Sequence, residues 1–102
     1  MQMYEIVFSA RAENDIQNLA DVIIFQYKAP ITAFRYVQGL LDTIKQLSYN
    51  AEAFRIQTSA GFNTYGPYPR RINYKNMTII YNVVNHVVYI QRVVPSKNIL
   101  VS

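Results

Sequence analysis

The sequence predicts an α+β domain: an N-terminal strand, an antiparallel helical hairpin, then a three-stranded antiparallel meander completing one mainly antiparallel sheet. Two observations carry this reading. Apolar residues recur at helical spacing between about residue 10 and residue 48. From residue 70 onward, three β-branched and aromatic runs are separated by residue pairs suited to tight turns. The chain has 102 residues, 51% of them hydrophobic, which is enough for one layered core and points to a single domain over residues 1–102.

Tyr4-Glu5-Ile6-Val7-Phe8 is the first strand, with Tyr4, Ile6 and Phe8 on one face. Ser9 is placed to cap a helix running from about 10 to 28, whose stripe is Ala12, Ile16, Leu19, Ile23 and Tyr27. Glu13 and Asp15 fall in its early turns, where the helix dipole favours negative charge. Ala29-Pro30 ends that helix and opens the next, because proline disfavours helical geometry in the residue before it and suits a first turn. The second helix, from about 31 to 48, carries Ala33, Val37, Leu40, Leu41, Ile44 and Leu47. Gly39 inside it costs about 1 kcal/mol relative to alanine, a cost read here as structural, for close helix packing. Residues 49–69, with Ser59, Gly61, Asn63 and Gly66-Pro67-Tyr68-Pro69, form a long connection holding one short helix. Strands follow at Arg70 to Tyr74, Met77 to Val84 and Val87 to Val94, linked by Lys75-Asn76 and Asn85-His86. Alternation turns Ile72, Tyr74, Ile79 and Tyr81 to the core.

Charge divides the chain unevenly. Residues 1–52 hold all six acids, Glu5, Glu13, Asp15, Asp21, Asp42 and Glu52. Residues 53–102 hold Arg55, Arg70, Arg71, Lys75, Arg92 and Lys97 and no acid, so a net charge of +4 conceals a +6 C-terminal half. A field of one sign steers and holds an anionic partner, nucleic acid or acidic protein alike. Arg70 and Arg71 open one strand, Lys75 follows it, and Arg92 and Lys97 come at the end of the last, so strand pairing is expected to gather several of them near one sheet edge, interleaved with Tyr65, Tyr68, Tyr74, Tyr81 and Tyr89.

Other chemistries find little support. Without cysteine there is no disulfide framework, thiolate nucleophile or sulfur-ligated metal, which suits the reducing cytoplasm. The N-terminus lacks a signal peptide's basic and apolar regions, and no apolar run approaches the ~20 residues of a membrane span. The only histidine, His86, falls in a turn with no carboxylate in its half of the chain to orient it. The acids lack the clustering of a metal site, and Gly39, Gly61 and Gly66 are too scattered for a phosphate loop, so neither metal nor cofactor is expected.

Tyr4-Glu5-Ile6-Val7-Phe8-Ser9 with Ala12, Arg70-Arg71-Ile72-Asn73-Tyr74, Met77-Thr78-Ile79-Ile80-Tyr81 and Ile90-Gln91-Arg92-Val93-Val94, taken in order, resemble the RelE/ParE toxin superfamily over nearly the whole chain. The resemblance implies a toxin paired with a cognate antitoxin that wraps it, with either ribosome-bound messenger RNA or DNA gyrase as target. Arg71 stands where a ribonuclease member of the superfamily has a lysine or arginine, but Thr78 stands in place of a catalytic arginine, and Val94-Pro95-Ser96-Lys97 offers lysine where histidine or an arginine-rich tail is typical. Arg71, Arg92 and Lys97 are the catalytic candidates if the protein cuts RNA. Arg70, Arg71, Lys75, Arg92 and Lys97 are the expected surface for target or antitoxin. The Ile90-Gln91-Arg92-Val93 ending looks more like the ParE branch, which binds gyrase and needs no catalytic side chain. A RelE-like endonuclease and a toxin fold that has lost its activity stay open alternatives.

Overall fold

In the computed structural model, which describes residues 3–99, the chain forms one four-stranded sheet with its α-helices on one face. Strand β1 (Glu5–Phe8) leads into helix α1 (Ala10–Asp21); helix α2 (Pro30–Lys45) and the short α3 (Leu47–Asn50) follow; β2 (Arg70–Tyr74), β3 (Met77–Val84) and β4 (Val87–Pro95) complete the sheet. The strand order is β1-β4-β3-β2. The three C-terminal strands pair antiparallel as expected, whereas β1 lies parallel to β4, with Glu5 opposite Val87 and Phe8 opposite Ile90. Parallel neighbours need a long crossover, and the helices with the connection after them supply it.

Ser9 caps α1 by accepting the Ala12 N–H at 3.0 Å. The α-helix is shorter than its apolar period suggests. At Val22–Gln26 it widens into a π turn, and Lys28 then adopts a left-handed φ of 51°. This rotates the end of the hairpin, so Tyr27, expected on the core stripe, is instead 72% exposed. Gly39 is structural but for a different neighbour: a Cβ there would overlap the Tyr74 hydroxyl, so α2 seats a strand side chain at this point. Tyr74 in turn meets Tyr36 edge-on, with ring centroids 5.2 Å apart.

The core lies between the hairpin and the sheet. Ala12, Leu40, Ile44 and Leu47 from the helices meet Ile72, Ile79, Tyr81, Val88, Ile90 and Val93 from the strands, and Tyr4, Ile6 and Phe8 pack against them. Tyr81 is fully buried and donates its hydroxyl hydrogen bond to the Ala51 carbonyl at 2.6 Å. Burial pushes its phenol well above the ordinary range. The connection is more structured than its composition suggests: α3 and short 3-10 helices at Ala51–Ala53 and Ala60–Tyr65 punctuate it, and Ile56 bridges Arg70 beside β2. Residues 60–67 lie over the sheet's other face, where Phe62 is buried and the Asn82 amide donates to the Pro67 carbonyl at 2.8 Å. Gly66 permits that crossing, since its φ of 84° is one that a side chain resists. Asn85 and His86 both take left-handed φ, 50° and 68°, as a two-residue hairpin of the right twist requires.

Candidate functional site

The five expected cationic residues do not form one cluster. Arg70 shares the parity of Ile72 and donates to the carbonyls of Glu52 and Phe54, tying the start of β2 to the short helix Ala51–Ala53 and the residue after it. It is structural. Arg71 and Arg92 lie in one row across the sheet, each paired in register with Ile80, on the face away from the helices. The Arg71 guanidinium sits 5.7 Å from the centre of the Phe62 ring. Lys75, at φ 53°, and Lys97, in the turn Ser96–Asn98, belong to the end of the sheet where β2 passes to β3 and β4 ends. The Lys75 ammonium lies 5.6 Å from the Tyr36 ring and 5.7 Å from the Tyr74 ring.

Arg92 is held by a partner that its sequence position does not suggest. Its guanidinium grips Asp15 of α1 in a fork, Nε to Oδ2 at 2.7 Å and Nη2 to Oδ1 at 2.9 Å, and the same carboxylate accepts the Val93 N–H at 2.9 Å. That bond raises the Arg92 pKa further above neutrality. The arrangement also closes a sheet edge. Past the end of β1, the Ile90 carbonyl takes the Ser9 N–H, the carbonyl of Gln91, bulged between the Tyr81 and Ile80 pairings, takes the Ser9 hydroxyl, and the Val93 N–H donates to Asp15. Arg92 therefore reaches solvent as a neutralised pair, half-buried.

Thr78 sits between these cations and is fully buried. Its hydroxyl donates to Asn73 Oδ1 at 3.0 Å and lies 2.8 Å from the Ser96 hydroxyl, which makes a neutral, closed network. His86 is at the far end of β3, about 25 Å away by strand rise. This face offers positive charge and hydrogen bonds to an anion. It brings no acid-base pair to a reacting centre among the described residues.

A second surface escaped the sequence reading. Phe25 and Tyr27 are 72% exposed, Ile31 and Phe34 are 68% exposed, and Val22 adjoins them, so the tip of the helical hairpin is a large apolar patch. Lys28 and Arg35 flank it, and no acid occurs between Asp21 and Asp42. One signal was legible: the run Val22-Ile23-Ile24-Phe25 is too apolar to fit on a single buried stripe. Arg55 was counted in the basic half but not singled out. Among the described residues no helix is long and apolar enough to cross a membrane.

Comparison with known proteins agrees with this geometry. A search of curated protein sequences returns no match. Among solved structures, the fold is similar to a chain described as the chromosomal ParDE TA system from P. aeruginosa, with a TM-score of 0.75 at 18% identity, covering 91% of this chain and 96% of that one. The family model for the ParE toxin of the type II toxin-antitoxin system, parDE, matches residues 6–100, so the chain belongs to the ParE toxin family.

Proposed function

We propose that this ParE-family toxin arrests growth in the cytoplasm by binding DNA gyrase, and that its cognate antitoxin suppresses it by covering both the basic sheet face and the apolar hairpin tip. The observation that carries the binding reading is the centre of the sheet face. Where a ribonuclease of the superfamily needs charge and a proton acceptor, Thr78 is sealed with Asn73 and Ser96, and Arg92 is already neutralised by Asp15. Arg71 and Lys97 remain to hold carboxylates or phosphates, and two such groups serve docking better than phosphoryl chemistry. The antitoxin has two kinds of surface to satisfy: an apolar face for Phe25, Tyr27, Ile31 and Phe34, and acids for Lys28, Arg35, Arg71, Lys75 and Lys97.

The test uses purified protein. Addition to DNA gyrase is expected to block supercoiling in proportion to toxin, with Arg71→Gln weakening inhibition, while messenger RNA on programmed ribosomes stays intact. Cleavage at the ribosomal A site with gyrase unaffected would instead establish the endonuclease reading. Neither effect, together with growth unaffected by expression, would mark a toxin fold that retains only antitoxin binding.

A further inference from the structure

The tip of the helical hairpin is a closed turn. The Ala29 N–H donates to the Ile23 carbonyl at 3.3 Å, Lys28 crosses between the helices at a left-handed φ of 51°, and Pro30 opens α2 with its own φ fixed by the ring. On this frame Phe25 and Tyr27 are 72% exposed and Ile31 and Phe34 are 68% exposed. Side chains seated in a groove are shielded by its walls, whereas these four stand open, so the tip projects as a knob. Large apolar groups gathered in this way mark a surface that is covered by something else.

Charge decides what that is once the antitoxin has left. Lys28 and Arg35 are exposed beside the apolar groups, and no acid occurs between Asp21 and Asp42. The only ion pair among the described residues joins Arg92 to Asp15, so neither cation is held in one. A second copy meeting tip to tip would set these cations against one another. An anionic bilayer surface matches both features. Aromatic and branched side chains enter the boundary between headgroups and acyl chains, and the long stems of lysine and arginine let their charges reach back to the phosphates. Among the described residues no helix is long and apolar enough to cross a membrane, so the fit is for dipping into one leaflet.

We infer that the hairpin tip is a lipid-binding site, by which the toxin freed of its antitoxin attaches to an anionic membrane surface. Phe25, Tyr27, Ile31 and Phe34 supply the inserted group, and Lys28 and Arg35 pair with lipid phosphates around it. Because an antitoxin on the tip covers the same side chains, lipid and antitoxin compete, and the complex stays off the membrane. Attachment is separable from the toxin's target. A toxin that spares gyrase can still hold to lipid, and one that inhibits gyrase can fail to.

The experiment mixes the free toxin with vesicles of phosphatidylcholine, alone or in equal parts with phosphatidylglycerol. Co-sedimentation is expected with the mixed vesicles and is expected to fall about tenfold on phosphatidylcholine alone. Phe25→Ser combined with Phe34→Ser should weaken partitioning about twentyfold. Lys28→Gln and Arg35→Gln should weaken it about fivefold each, and Arg55→Gln, away from the tip, should leave it unchanged. All these side chains are exposed, and unchanged circular dichroism checks that the variants fold. Orientation is read separately. The chain has no tryptophan, so Phe25→Trp and Tyr68→Trp each introduce a single probe. Lipids brominated in the acyl chain are expected to quench the probe at position 25 and to spare the one at 68. Absence of binding, binding that survives the paired serine variant, equal loss on Arg55→Gln, or equal quenching of both probes would each overturn the assignment. So would a dimer that forms without lipid and is abolished by the serine pair, which would give the tip to a second copy.

Discussion

The two faces of the sheet are built from adjacent residues but on different terms. Ile79 and Ile80 are neighbours in β3 and both are fully buried. Ile79 lies under the hairpin among Leu40, Ile44, Tyr81 and Val93, where rigid elements meet on both sides. Ile80 lies on the opposite face, between Arg71 and Arg92 in register, the face crossed by the short 3-10 helix that carries Phe62. One face spends its area on a packed core. The other keeps its burial thin, so polar groups stay near solvent and near a partner.

The sharpest way to break this comparison is to cut the same side chain on each face. Ile79→Ala is expected to cost about 4 kcal/mol, since helices and strands cannot collapse into the space. Ile80→Ala is expected to cost about 2 kcal/mol, because the 60–67 segment can settle onto the gap. Urea unfolding of both variants checks this, and equal losses would show the second face to be as rigidly packed as the first.

A smaller effect is expected at the seam between the faces. Asp15→Asn removes the charge from three hydrogen bonds to Arg92 and Val93 and leaves a half-buried guanidinium without its counter-ion. A loss of about 2–3 kcal/mol is expected in thermal or urea unfolding. Freed of Asp15, Arg92 gains positive potential on the outer face, so binding of an acidic partner should tighten even as the fold weakens. A variant that loses stability and affinity together would mean the pair itself forms part of the docking surface.

Tyr81→Phe is expected to cost about 1–2 kcal/mol at neutral pH, through the lost bond to Ala51. Its pH dependence is more telling. The phenol's pKa is raised in the fold by burial, against a lesser lowering by Arg70. The unfolded chain ionises near 10.0, so this contribution is complete below pH 10 and declines as pH climbs from there toward the folded value. Wild-type protein should lose up to about 1.4 kcal/mol per pH unit from this residue above pH 10, and the variant should lack that component of the slope. Parallel slopes would place Tyr81 in a wetter site than its burial indicates.

The helix face was the legible one. Each residue there obeys the period of its own element, helical for Ala12, Leu40 and Ile44 and alternating for Ile79 and Tyr81, so all five could be assigned to the core from spacing alone, and Ser9 from its position before the first turn. What escaped depends on contacts between distant segments. Asp15 reads as a dipole residue until the fold carries it to Arg92, 77 positions away. Arg70 and Arg71 look alike in sequence, yet one parity step sends the first to the carbonyls of Glu52 and Phe54 and the second to the outer face. Tyr27 fitted the helical stripe, and the π turn at Val22–Gln26 moved it outward. No propensity announces a π turn, and the apolar excess of 22–25 was its one trace.

Thr78→Val tests the least costly difference between the faces, and it bears on function directly. The substitution keeps the side chain's shape and deletes the hydroxyl that joins Asn73 to Ser96. Those two groups lie on a thinly covered face and can turn to water, so only about 1 kcal/mol is expected to be lost. If the face works by docking, growth arrest on expression should survive intact, because Thr78 is buried beneath the surface a partner touches. If it works by chemistry, the adjoining Thr78 and Ser96 hydroxyls are the pair on this face able to pass a proton, and the substitution breaks it. Growth arrest abolished in a variant that still folds and still binds its antitoxin would then favour catalysis over binding.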